Sequence, residues 1–168
     1  DSVRVLVLGL RGQVHESQDN KIGAKLEAVI RSLHRPILIV NDSFTTPKNI
    51  MLAYDGSEAA DKAVDMVASS PLYKDICCHL VCVNNNEETA TKLLEQATKK
   101  LQSAESIEVI SVKLKGKADQ ELCAYQQEHN IDLTVMGAFS HTRLHDMLLG
   151  SFTHKMLINT KKPLLLLR

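Results

Sequence analysis

The chain has 168 residues, with 20 Lys and Arg against 20 Asp and Glu, so its formal net charge is zero. That balance leaves no global basic field for nucleic acid or an anionic membrane, and 4% aromatics leave few platforms for stacking single strands. The 44% apolar content supports one packed domain plus a fragment, and no apolar run approaches the ~18 residues that cross a bilayer.

In chain order, Val5-Leu6-Val7-Leu8 reads as a short strand closed by Gly9. Gly12 follows in a loop, Ile22-Gly23-Ala24 opens a helix, and Pro36-Ile37-Leu38-Ile39-Val40 brings a second strand. Residues 42–47 are polar with Pro47 and read as a linker. Ile50 to Tyr54 is apolar without alternation, as in a parallel strand buried on both faces. Asp55-Gly56-Ser57 is a turn, with Ser57 placed to cap a helix whose inner face is Ala60, Ala63, Val64 and Val67.

Pro71 ends that helix, and Ile76 to Val83 is the next strand. Glu87 to Gln102 is helical, with Leu93, Leu94, Ala97 and Leu101 inward. A strand over Ile107 to Leu114, a helix over Ala118 to Glu128 and a strand over Leu133 to Met136 complete the middle of the chain. A glycine loop then leads to a helix over Phe152 to Thr160 and a last strand, Leu164 to Leu167. Strict alternation of strands and helices predicts an α/β fold, a doubly wound parallel sheet with helices on both faces. Ligands of such sheets bind at the carboxyl ends of the strands.

The ends of the chain repeat one another. Val5 to Gly12 resembles Leu133 to Ser140, and Ile22-Gly23-Ala24 resembles Leu149-Gly150-Ser151. Gly23 precedes Pro36 by thirteen residues, as Gly150 precedes Pro163. Residues 1–41 therefore read as the closing part of a first domain, lacking its beginning, and residues 48–168 as a complete second copy. Ile37 to Val40 is expected to pair with Leu164 to Leu167, within the chain or between chains. The strand Val5 to Leu8 is expected to keep an open edge.

The stretch from Gly137 to Ser151 carries the chemistry. A glycine ends a strand, a polar loop follows, and Gly150-Ser151 opens a helix. Free N–H groups and the positive end of the helix dipole favour an anion there, and glycine lets a phosphate approach the backbone. The same residues have plainer uses. Gly137 can be a strand-end turn, Gly150-Ser151 an N-cap, and Asp55 a cap for its own helix. Lys115 and Lys117 flank Gly116, and Arg143 and His145 lie in the loop; all four read as solvated. Cys77, Cys78, Cys82 and Cys123 have no zinc-ligand spacing and read as reduced thiols of a cytoplasmic protein. No Gly-Lys-Ser or Gly-Lys-Thr occurs, which excludes a Walker A loop.

The spaced motif, together with Ala53-Tyr54-Asp55-Gly56-Ser57-Glu58, resembles the universal stress protein family. ATP-binding members carry Gly, two residues, Gly, nine residues, then Gly with Ser or Thr. Here Ser140 stands in place of the second glycine, at a cost of roughly 1 kcal/mol if that position is left-handed. The resemblance implies a five-stranded parallel sheet of the adenine nucleotide α-hydrolase type, preceded here by the half-copy. It implies ATP with Mg²⁺ as ligand, adenine against Ala53 and Val83, and Asp55 near ribose and metal. Gly137, Gly150, Ser151 and the backbone at Phe152 would line the phosphate and ribose loop, with Ser140 at the departing position and Gly116 also among the nucleotide-binding residues. The implied role is a stress sensor or regulatory module, at most a slow ATPase; a nucleotide-free, dimerising interaction protein is the alternative.

Overall fold

The strand in the middle of the parallel run is buried through its centre. Ile50, Met51 and Leu52 are each 0% exposed, a burial of about 1.5–3 kcal/mol per side chain. The computed structural model describes residues 4–10, 24–32, 35–40, 45–103, 107–138 and 151–168. Its strands are β1 (Leu6–Gly9), β2 (Ile37–Val40), β3 (Asn49–Ala53), β4 (Ile76–Val83), β5 (Ile107–Leu114), β6 (Leu133–Gly137) and β7 (Leu164–Leu167). Its α-helices are α1 (Ala24–Ser32), α2 (Glu58–Ser69), α3 (Glu87–Gln102), α4 (Ala118–Glu128) and α5 (Ser151–Asn159). The break at Pro71 is a 3₁₀ turn, Pro71–Tyr73, which joins α2 to β4 and buries Tyr73.

All strands share one sheet, ordered β1-β2-β7-β6-β3-β4-β5. The expected five parallel strands are the run from β7 to β5. The half-copy extends that run to seven strands, because β2 pairs with β7 across Ile37↔Leu166, Leu38↔Leu165 and Ile39↔Leu164. That junction is antiparallel, while β1 lies parallel to β2.

Side-chain alternation along the strands divides the core. One layer joins Ile50, Leu52, Cys78, Leu80, Val135 and Leu165 to the inner faces of α2 and α3. The other joins Met51, Val81, Met136, Leu164 and Leu166 to residues of α1, α4 and α5. Local chemistry fixes the helix starts. Ser57 Oγ accepts from Ala60 N at 3.2 Å, and Asn86 Oδ1 accepts from Thr89 N at 2.9 Å. The inner face of α3 is Ala90, Leu94, Ala97 and Leu101; Leu93 is only partly buried, packed beneath Gly56.

Two close approaches set where α2 and α4 lie. The buried Gly137, at the end of β6, lies against the first turn of α2. A Cβ there would stand 2.8 Å from Ala59 Cβ and 3.1 Å from Ala60 N. On the opposite face, His79 Nδ1 and Tyr125 Oη are 2.7 Å apart, and Tyr125 stacks on His129 with ring centroids 4.0 Å apart. Deeper in that face Gln126 Nε2 donates to Thr134 Oγ1, and Thr160 Oγ1 donates to Gln126 Oε1, so the buried amide is satisfied.

Two outcomes follow for stability. Gly137→Ala should lower stability by about 1–3 kcal/mol, since the neighbour at 3.1 Å is helix backbone that cannot swing aside. A denaturant titration reads this directly, and an unchanged midpoint would show that α2 has room to move. The second outcome is acid sensitivity. Burial, and then the nearby His129, hold the His79 imidazole below its ordinary value of 6.5, against a smaller pull from Glu108. The unfolded chain therefore takes up that proton first. The His79 contribution is complete above pH 6.5 and is lost as pH falls from there towards the folded value. Thermal melts across this range should show a decline that is shallower in His79→Gln, whose amide still offers Tyr125 a partner.

Candidate functional site

Strand order alone creates a crevice. From β3 the chain proceeds through β4 and β5 on one side, then returns to place β6 and β7 on the other. β3 and β6 are thus neighbours whose following helices, α2 and α5, cover opposite faces of the sheet. Their carboxyl ends diverge into a topological switch point, the usual ligand position in open α/β sheets.

The residues singled out from the sequence gather at that end. Ala53 ends β3, Val83 ends β4, Gly116 follows β5 and Gly137 ends β6. Ser151 and Phe152 open α5, which starts at this end because β6 finishes there. Ser140 and Gly150 lie outside the described residues, as do Arg143 and His145. Ala53, Val83, Leu114 and Phe152 are partly buried on the rim of the layer beneath α4 and α5. They give the strand ends of that layer an apolar margin.

Asp55 is exposed and shapes its own turn. Its Oδ1 accepts from Ser57 N at 3.0 Å, and Gly56 takes the left-handed φ of 77° that the turn requires. The carboxylate is close enough to act on its neighbours. The Cys82 thiol is pushed up by burial and then by the Asp55 charge, so it stays protonated. The Tyr54 hydroxyl is raised by burial and by its hydrogen bond to Asp61, where it donates at 2.9 Å. Cys78, deep in the sheet, is pushed up to about 12 by burial. All four cysteines are free thiols.

The opposite lip is tied together by three asparagines, Asn84, Asn85 and Asn86, that carry no place in the sequence motif. Asn86 N donates to Asn84 Oδ1 at 2.8 Å, and Asn86 caps α3. Gly116 N donates to Asn85 Oδ1 at 3.1 Å, which links the loop after β4 to the loop after β5. An Asn run directly after a strand is itself a turn-and-cap signal. Lys115 is exposed, as is Lys113. Both reach Glu87, at 3.4 and 3.3 Å, and hold its carboxyl below the usual range. Lys117 is exposed at the start of α4, where no side chain caps the helix.

Gly137 has a packing role that its place in the motif did not reveal, because it admits the first turn of α2. Among the described residues no group of three His, Cys, Asp or Glu side chains could hold a metal ion. Asp55 is the carboxylate of its turn, and a metal there needs most of its ligands from elsewhere. No described helix is long and apolar enough to cross a membrane.

Comparison with known proteins agrees with this architecture. A structure of a universal stress protein from Archaeoglobus fulgidus DSM 4304 matches with a TM-score of 0.77 at 19% identity, covering 98% of this chain and 60% of that one. A universal stress protein solved in complex with cAMP matches with a TM-score of 0.61 at 19% identity, covering 74% of this chain and 98% of that one. These likenesses concern the fold. In sequence, the chain is 34% identical over 173 residues to the universal stress protein Slr1230 of Synechocystis, covering 98% of this chain and 58% of that protein. The chain thus spans less than two thirds of the length of that relative. The sequence profile of the universal stress protein family matches residues 46–168, and with this relative it shows that the chain belongs to the universal stress protein family.

Proposed function

We propose that the chain binds an adenine nucleotide, ATP with Mg²⁺, at the carboxyl end of the sheet and acts as a nucleotide-responsive sensor or regulatory module. The observation that carries this reading is the convergence of Ala53, Asp55, Val83 and the start of α5 on the β3–β6 switch point. The relative solved with cAMP supports an adenine nucleotide as the ligand class. In this reading Ala53 and Val83 take the base, and Gly116 borders it from the loop after β5. Gly150 and Ser151 offer backbone N–H groups and a hydroxyl to phosphate, with Ser140, Phe152 and the strand end at Gly137 beside them.

Magnesium suits this donor set only as a companion of the nucleotide. It binds through one or two carboxylates together with phosphate oxygens and water. Asp55 supplies one carboxylate, and the metal would offset phosphate charge. Hydrolysis, in this reading, is slow at most. The four free thiols support a reducing, cytoplasmic setting. One observation favours the nucleotide-free, dimerising alternative: Ser140 puts a side chain where the family pattern has glycine.

The test is a ligand titration. At a hundredfold excess of Mg-ATP over its dissociation constant, the folded state should gain about 2.7 kcal/mol, visible as a raised melting temperature. No rise at millimolar Mg-ATP would leave the nucleotide-free reading standing. Gly150→Val should abolish binding by calorimetry while the melting curve without ligand stays in place. The β-branched side chain would keep phosphate from the helix start. Asp55→Ala should weaken Mg-ATP more than metal-free ATP. Equal weakening of both would give Asp55 a role in the turn or at the ribose instead.

A further inference from the structure

The sheet ends at β5, a strand that α3 precedes and α4 follows in the chain. It has 8 residues, and among the described residues only β4 pairs with it. Asn84 N donates to the carbonyl of Leu114 at 2.9 Å, so Leu114 turns its backbone groups towards β4. Alternation gives Glu108, Ile110 and Val112 the same direction. The amides and carbonyls of Ile107, Val109, Ser111 and Lys113 therefore face outward along the edge.

The devices that usually protect such an edge are weak here. The strand has no proline, and its register with β4 runs without a bulge from Ile76↔Ile107 to Val83↔Leu114. Lys113 does not guard the edge, because its ammonium is drawn back over α3, 3.4 Å from Glu87 and 3.3 Å from Thr91. Ile110, in the middle of the strand, is 39% exposed. It stands beside His79 on the face where α4 packs against β4. On the other face α3 and β5 flank a groove of about 380 Å³, whose lining includes Leu94, Glu95, Thr98, Lys99 and Ser111.

We propose that β5 docks a second copy of this chain, its own β5 running antiparallel about a two-fold axis at Ile110. Such an axis keeps every residue on its own face of the sheet. Set at Ile110, it places Ile107 of one copy opposite Lys113 of the other, and Val109 opposite Ser111. Within the strand this is the one register in which all four outward residues meet outward residues and exchange hydrogen bonds. Ile110 then meets Ile110 in a close pair that covers the exposed side chain. Glu108 meets Val112, so no like charges stand opposite one another. On the α3 face the two grooves join, and each helix offers the other a carboxylate, Glu95, and an ammonium, Lys99. A formal net charge of zero adds no long-range repulsion between copies. The β2–β7 seam is left as it is, since it lies on the other side of β3.

The test uses the full chain at rising concentration. Sedimentation should show the mass of two chains towards submillimolar protein. Over the same range, hydrogen exchange at the Val109, Ser111 and Lys113 amides should slow several-fold. Ile110→Lys sets two ammonium groups face to face at the axis and should return a monomer whose edge amides exchange fast. Ser111→Pro removes an outward amide that β4 does not use, and should also return a monomer. A chain that is monomeric at every concentration overturns the proposal. So does a dimer whose edge amides exchange as fast as in the dilute chain, or one that persists in either folded variant, since another surface then joins the copies. The exchange of the native chain decides the case if neither variant folds.

Discussion

The double pairing of β3 is the constraint on which the molecule turns. A five-residue strand with no exposed surface at Ile50, Met51 or Leu52 must have a neighbour on each edge and a helical layer on each face. β4 supplies one neighbour and the returning β6 the other, so the chain reverses its direction of travel across the sheet at β3. The crevice is a by-product of that reversal. It exists because burying β3 beside β6 sends the helices that follow these two strands, α2 and α5, to opposite faces. Ligand chemistry can then be written into those loops without disturbing the core beneath them.

The same economy explains how closely packing and site are interwoven. Gly137 admits α2, α2 is capped by Ser57, and the amide of Ser57 is held by Asp55. One short path of contacts therefore runs from a helix–strand approach to the carboxylate at the mouth of the crevice. Gly56 sits on that path with Leu93 of α3 beneath it, so the turn is also braced from the neighbouring helix. The site residues are held by parts of the fold that would be needed in the absence of any ligand.

How much of this the sequence disclosed depended on whether the deciding interaction was local. β4 and α3 were readable to the residue, the first from its apolar run and the second from the spacing of Leu94, Ala97 and Leu101. The pairing of β2 with β7 was implied by the family resemblance, but its antiparallel sense was not read, because a four-residue apolar strand carries no directional mark. The packing role of Gly137 was hidden for a related reason: a sequence shows that Cβ is missing, not what it would have struck. His79 has no local pattern that names its partners, and only the tertiary fold brings Tyr125 and His129 to it. In the candidate site, the positions of Ala53, Asp55 and Val83 followed from strand ends. The asparagine tie across the opposite lip joins residues 85 and 116, which no local pattern connects.

The β2–β7 seam has a property that bears on how the two copies can change. Its register, with Ile37↔Leu166 and Ile39↔Leu164 about Leu38↔Leu165, is self-complementary under the internal repeat, as in an isologous interface between identical subunits. Here the two sides are spelled by different codons. A substitution in a true homodimer enters its interface twice and must be tolerated in both places; here it enters once. One side can therefore change at Leu164 or Leu166 while Ile37 and Ile39 stay as they are. Covalent joining also removes the dependence on protein concentration that two separate subunits would carry.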